Sequence, residues 1–142
     1  MLLTLSCEDF HENNGPLGGM WQLTQWCTRS HATGQIDSLV ANNLYNDPTV
    51  PNKRKLYYCI HREDIQFQDA TRDARYYFFA SFRHTPDSLI IGTVVNKKDS
   101  LCHYSDLREF GVPASGRFHI DVLNSEKLVL STPQDVLIFR KY

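Results

Sequence analysis

The chain has 142 residues, with 15 Lys plus Arg against 16 Asp plus Glu and an aromatic content of 12%. That length fits one domain that buries about 68–70% of its unfolded surface on folding, so neither a metal nor a disulfide is needed to hold it together. The balanced charge, with no long run of either sign, argues against the basic stripe of a nucleic-acid binder, and no stretch approaches the roughly 18 apolar residues of a membrane span.

Residues 1–7 end an apolar run, Leu2-Leu3-Thr4-Leu5, in a small residue and a cysteine, Ser6-Cys7, with Glu8-Asp9 following. This is similar to the end of a bacterial lipoprotein signal, in which Cys7 becomes the lipidated first residue of the mature protein. Only six residues precede it, without the basic start and the apolar stretch of about 7–15 residues that a signal requires. Either the true start lies upstream, or the segment is a frayed N-terminus and the protein is cytosolic. The other cysteines, Cys27, Cys59 and Cys102, form no C-x-x-C pair and read as small buried hydrophobes rather than a structural zinc site.

Residues 8–18 carry Asn13-Asn14-Gly15-Pro16 and Gly18, the composition of a flexible tether, so ordered structure is expected from Gly19. The first predicted strand, Gly19 to about Thr28, holds both tryptophans, Trp21 and Trp26. Residues 35–54 read as an insertion near a barrel mouth. Within it Ser38 to Tyr45 is a short helix or a ragged strand, and Pro48 and Pro51 favour a loop after it.

Period-two alternation then becomes clear. Leu56 to His61 and Ile65 to Gln68 pair around Arg62-Glu63-Asp64. Arg75 to Phe82 and Ser88 to Val95 form a hairpin around His84-Thr85-Pro86-Asp87, where proline presets the turn. Tyr104 to Gly111 has the serine start and glycine stop of a short helix. Arg117 to Val122, Leu128 to Leu130 and Val136 to Tyr142 complete the set. The count predicts an all-β fold: an antiparallel, up-and-down barrel of eight strands, or nine if residues 38–45 pair, with one short helix.

Gly19-x-Trp21 on the first strand and Arg140 on the last resemble the signature of the lipocalin and calycin group. The Gly19 to Thr24 opening, the Leu128-Val129-Leu130 strand and the Phe139-Arg140-Lys141-Tyr142 ending are more closely similar to lipocalin-like envelope lipoproteins of Bacteroides and related bacteria. The resemblance spans about residues 16–142, and the 35–54 insertion departs from it. It implies a lipid-anchored barrel in the bacterial cell envelope, in the periplasm or at the outer membrane, with no assigned activity. In the same picture Trp21 plugs the barrel base with the Arg140 guanidinium over the indole face.

Alternation puts Tyr58, Ile60, Ile65, Phe67, Tyr76, Phe78, Phe82, Phe118, Ile120 and Val122 in one buried phase. In an open calyx Tyr58, Phe67, Tyr76, Phe78, Phe82 and Phe118 would line a site for a small, partly apolar ligand; in a solid core they would simply fill it. A peptide or glycan is a further candidate for the mouth near residues 29–54 and 96–116. Cys59 and His61 share a strand face, but no third or fourth metal ligand is visible. The carboxylates Glu63, Asp64 and Asp121 fall in a turn or on an outer face. With no Gly-x-Ser-x-Gly, His-Glu-x-x-His or phosphate loop, the reading is a non-catalytic binder without a cofactor. The alternative is a filled barrel acting as a structural or protein-interaction module, and an enzyme on a hydrophobic substrate comes third.

Overall fold

The structure is a computed structural model that describes residues 14–29, 36–42, 55–70 and 76–142, with the backbone alone described for 36–42 and Tyr76. Cys7, the rest of the 1–7 segment, residues 8–13 and the 43–54 part of the insertion lie outside the described residues.

Ten strands are present among the described residues: β1 (Gly19–Arg29), β2 (Ile36–Asn42), β3 (Leu56–His61), β4 (Asp64–Asp69), β5 (Tyr76–Thr85), β6 (Ser88–Asn96), β7 (Leu101–Cys102), β8 (Arg117–Leu123), β9 (Lys127–Ser131) and β10 (Asp135–Lys141). Eight of them close an antiparallel barrel in the order β1, β3, β4, β5, β6, β8, β9, β10, with β10 returning to β1. β2 is an extra strand on the second half of β1, and the two-residue β7 pairs with β6. Ile36–Asn42 thus adopts the extended alternative for the ambiguous segment. Closure removes the free edges that an open sheet of this length would present to other chains.

The antiparallel connections define two ends. The turns after β3, β5 and β8 and the end of β10 gather at a base, together with the start of β1. The ends of β4, β6 and β9 and the start of β8 gather at the opposite end, the mouth. At the base, residues 14–18 depart from the expected tether. Gly15–Leu17 form a 3-10 turn, and Leu17 is fully buried against the core. Trp21 Nε1 donates to Leu17 O at 2.8 Å, and Asn14 Nδ2 donates to Arg62 O at 2.7 Å. An apolar side chain and two polar anchors therefore override the flexible composition.

The interior is built from alternate residues: Leu56, Tyr58 and Ile60 on β3, Ile65 and Phe67 on β4, Phe78, Ala80 and Phe82 on β5, Leu89 and Ile91 on β6, Phe118 and Ile120 on β8, and Leu137 and Phe139 on β10. Each large apolar side chain of this set contributes about 1.5–3 kcal/mol when it leaves water.

Register shifts interrupt this parity on several strands; on β6 one brings Ile91 and Val94, three positions apart, both into the core. In β1 the register against β10 shifts between Leu23 and Gln25, and Thr24 Oγ1 donates to Ile138 O at 3.0 Å. An extra residue in one strand turns the residues after it to the opposite face. Trp21 and Trp26, five positions apart, consequently both face the core: Trp26 stands opposite the buried Leu137 and is partly buried against the core cluster. Another shift, between Ile120 and Val122 on β8, corrects the predicted core list. Val122 pairs with Val129 on the outer face and is 39% exposed.

Candidate functional site

The base is organised by Trp21 and its neighbour across the seam. β1 and β10 pair with Trp21 opposite Lys141 and Gln22 opposite Arg140. The cation over the indole is therefore Lys141, whose Nζ lies 4.5 Å from the ring centroid. This corrects the expected Arg140: one step of strand parity puts Arg140 on the outer face, where its Nε donates to Gln22 Oε1 at 3.0 Å. Lys141 also donates to the carbonyls of Gly18 and Pro16. Partial burial lowers its pKa from the usual lysine value. Gly19 makes room for it: at φ 128° the residue occupies backbone space open to glycine, and a Cβ there would lie 2.6 Å from Lys141 Cε. Below the indole, Asn14, Pro16, His61, Arg62 and Lys141 line part of a groove of about 480 Å³ that opens outward.

The described candidate calyx residues converge and pack on one another. Tyr58 meets Phe67 and Phe139 with ring centroids 4.7 Å away in each case, and Phe118 at 6.3 Å. Tyr58 and Phe67 are fully buried, and Phe78, Phe82 and Phe118 nearly so. The side chain of Tyr76, the remaining member of the proposed lining, is not among those described.

A residue that alternation did not single out completes the cluster. The predicted helix is a 3-10 helix over Tyr104–Phe110, begun by His103, whose N–H donates to Asp106 Oδ2 at 2.9 Å, and ended by Gly111 at φ 85°. Its Leu107 and Phe110, with Val112 beyond, reach into the barrel from the mouth and are essentially fully buried. Phe110 lies 5.9 Å from Phe67 and 6.0 Å from Phe78 between ring centroids. Tyr58 Oη donates to Phe110 O at 2.5 Å, and desolvation pushes this phenol well above its ordinary pKa, so it stays a neutral donor. Tyr104 Oη fastens the other end of the helix to Ile91 O at 2.6 Å. The i, i+3 spacing of Leu107 and Phe110 was the available sequence signal for an inward face.

Beside this plug, the mouth carries a pocket of about 340 Å³ between the segment after the 3-10 helix and the β9–β10 turn, lined by Arg108, Pro113, Ala114, Thr132, Pro133 and Gln134. Arg108, Pro113 and Ala114 fall within the 96–116 segment expected at the mouth, and Thr132, Pro133 and Gln134 lie outside it.

The polar residues considered for chemistry are dispersed. Glu63, Asp64 and His61 are exposed at the β3–β4 turn. On the outside of β8, Asp121 Oδ1 sits 2.5 Å from His119 Nδ1 and accepts from Ser131 Oγ at 3.0 Å. Here the serine bonds the carboxylate rather than the imidazole, so the histidine is not placed to take its proton as a nucleophile would require. Among the described residues no group of three or more His, Cys, Asp or Glu could hold a metal ion. Cys27, Cys59 and Cys102 are free thiols, each with its pKa raised mainly by desolvation, which makes them poor nucleophiles.

The family model described as a lipocalin-like domain matches residues 1–142. A crystal structure of a lipocalin-like protein from Bacteroides uniformis is similar with a TM-score of 0.57 and 20% identity, covering 90% of this chain and 100% of that one. An uncharacterized protein from Bacteroides eggerthii follows with a TM-score of 0.52 and 16% identity, covering 88% and 98%. No curated protein matches the chain.

Proposed function

The chain belongs to the lipocalin-like domain family, and from that premise we propose that it is a non-catalytic binding module of the bacterial cell envelope that takes a small, partly apolar ligand at the barrel mouth. The observation that supports the mouth over the interior is the mutual packing of the described inward rings. Tyr58, Phe67, Phe78 and Phe118 pack on one another and on Phe110, and the Tyr58 hydroxyl is already satisfied by the Phe110 carbonyl. Sites for small molecules are preformed concavities of about 300–1,000 Å³ with mostly apolar walls and a few polar groups. The mouth offers one at the lower end of that range.

The same reading holds the protein to a membrane through lipid on Cys7. The chain enters the barrel at Asn14, beside Arg62 and Lys141 at the base, whereas the pocket at Thr132 to Gln134 is at the other end of β10. An anchor on the N-terminal side would join the chain at the end of the barrel opposite this pocket. No cofactor enters this reading, and a peptide or glycan end group could serve as the ligand.

The packed interior also favours a second reading, a filled barrel that presents its loops to a partner protein. Native mass spectrometry of the protein purified from its own envelope fraction separates the two. A retained small-molecule adduct supports the binding module; bare protein after incubation with an envelope extract transfers the weight to the interaction module. Incorporation of labelled fatty acid that is lost in Cys7→Ser tests the anchor independently.

A further inference from the structure

Among the described residues, the mouth pocket combines preorganised walls with a set of polar groups biased towards donation. Each wall is fixed by the backbone. On one side, Val112 N donates to Leu107 O at 3.3 Å and Gly116 N to Pro113 O at 2.9 Å. On the other, Thr132 Oγ1 accepts from Gln134 N at 3.2 Å and from Asp135 N at 2.9 Å, and Arg29 ties the turn to β1 through Thr132 O at 3.2 Å and Gln134 O at 2.7 Å. Pro113 and Pro133 add rigid apolar surface whose main-chain φ is locked. A pocket that is already shaped loses little ordering entropy when it is filled.

The polar chemistry is one-sided. Arg108 is the one charged side chain among the lining residues, and it stands exposed on the 3-10 helix. A guanidinium has five donors and no acceptor, in a fork that matches a carboxylate. The Thr132 hydroxyl accepts two backbone N–H groups, which leaves its proton to give, and Gln134 brings an amide that can donate as well. Aspartate and glutamate are absent from the lining. A neutral apolar molecule would leave these donors without partners, and a cation would meet the guanidinium.

We infer that this pocket is a binding site for a small organic carboxylate, with its apolar body between Pro113, Ala114 and Pro133 and its carboxylate on Arg108. The inference rests on the mouth-binding reading above and supplies its ligand class.

The probe is benzoate, with benzyl alcohol as its uncharged analogue, titrated into the isotope-labelled protein while backbone amide resonances are followed. Benzoate is expected to shift the amides of residues 111–116 and 131–135 saturably and to bind at least tenfold more tightly than benzyl alcohol. Arg108→Gln should abolish that preference while leaving the thermal midpoint unchanged, because the side chain is exposed, and Arg108→Lys should restore part of it. Equal binding of the two probes, or benzoate shifts confined to the groove at His61, Arg62 and Lys141, would overturn the assignment. If the natural protein retains a ligand by mass spectrometry while benzoate leaves the rim amides unmoved, the carboxylate site fails and the binding module stands. If neither binds, both fail.

Discussion

Lys141 lies across the face of Trp21, its ammonium 4.5 Å from the ring centroid, because the last barrel strand pairs with the first so that these two residues are directly opposite. The contact joins the two termini of the barrel over a 3-10 turn, and both side chains also hold the 16–18 segment by hydrogen bonds to its carbonyls.

Trp21 is fully buried, so Trp21→Ala should lower stability by about 3–5 kcal/mol, the usual range for deleting a large aromatic from a core. Chemical denaturation with an unchanged m-value would measure it. A loss under about 1 kcal/mol would remove the indole from the core.

Lys141→Ala should cost about 1–2 kcal/mol, combining the cation–ring attraction with two lost hydrogen bonds. Arg140→Ala, on the exposed face, should cost less than about 1 kcal/mol. Gly19→Ala places a methyl against Lys141 Cε and forces alanine to φ 128°, and a loss of about 1–2 kcal/mol is expected. In a double-mutant cycle the Gly19 and Lys141 losses should be less than additive, because removing Lys141 relieves the steric part and leaves only the backbone strain.

Tyr58→Phe keeps the ring packing and removes only the hydroxyl that bonds Phe110 O at 2.5 Å. A buried carbonyl left without its donor costs about 1–3 kcal/mol. Hydrogen exchange should report the loss first in the 104–112 segment. An unchanged exchange pattern there would show that the hydroxyl does not hold the plug.

Asp87 accepts hydrogen bonds from the hydroxyls of Thr85 at 2.7 Å and Ser88 at 3.3 Å. These bonds, led by Thr85, hold its carboxyl below the ordinary aspartate value of 3.8, with the nearby His119 adding in the same direction. A depressed folded pKa stabilises the fold above the unfolded value, and that contribution disappears as pH falls through the folded one. Carboxyl resonances followed against pH should show Asp87 titrating below the ordinary aspartate value of 3.8, and Thr85→Ala should move it up. A midpoint unaffected by that substitution would contradict the hydrogen-bond account.

Period-two alternation was enough to read β3 to β5 and the inward set Tyr58, Phe67, Phe78, Phe82 and Phe118, because one buried face and one wet face leave a regular pattern. It fails where an extra residue resets the parity. Val122 falls outside the core for that reason, and Trp26 faces it. The cation at Trp21 depends on register between strands far apart in sequence, and along the chain alone Arg140 and Lys141 are equally cationic. Phe110 was harder to read for a different reason: a seven-residue 3-10 helix is too short for more than the single i, i+3 pair with Leu107, and its burial comes from the rings it meets. The pocket at Arg108, Thr132 and Gln134 exists only once two distant turns have been brought together.

The seam that shuts the barrel joins Thr24 to Ile138, 114 positions away. A ribosome synthesising this chain has long released the first strand before the last one emerges, so the indole face of Trp21 must wait uncovered through most of translation. Pairing across so large a separation is slow to form and easily diverted to a neighbouring molecule. The fold's vulnerable moment therefore comes before completion, and whatever shelters the nascent first strand governs how much of this protein reaches its finished form.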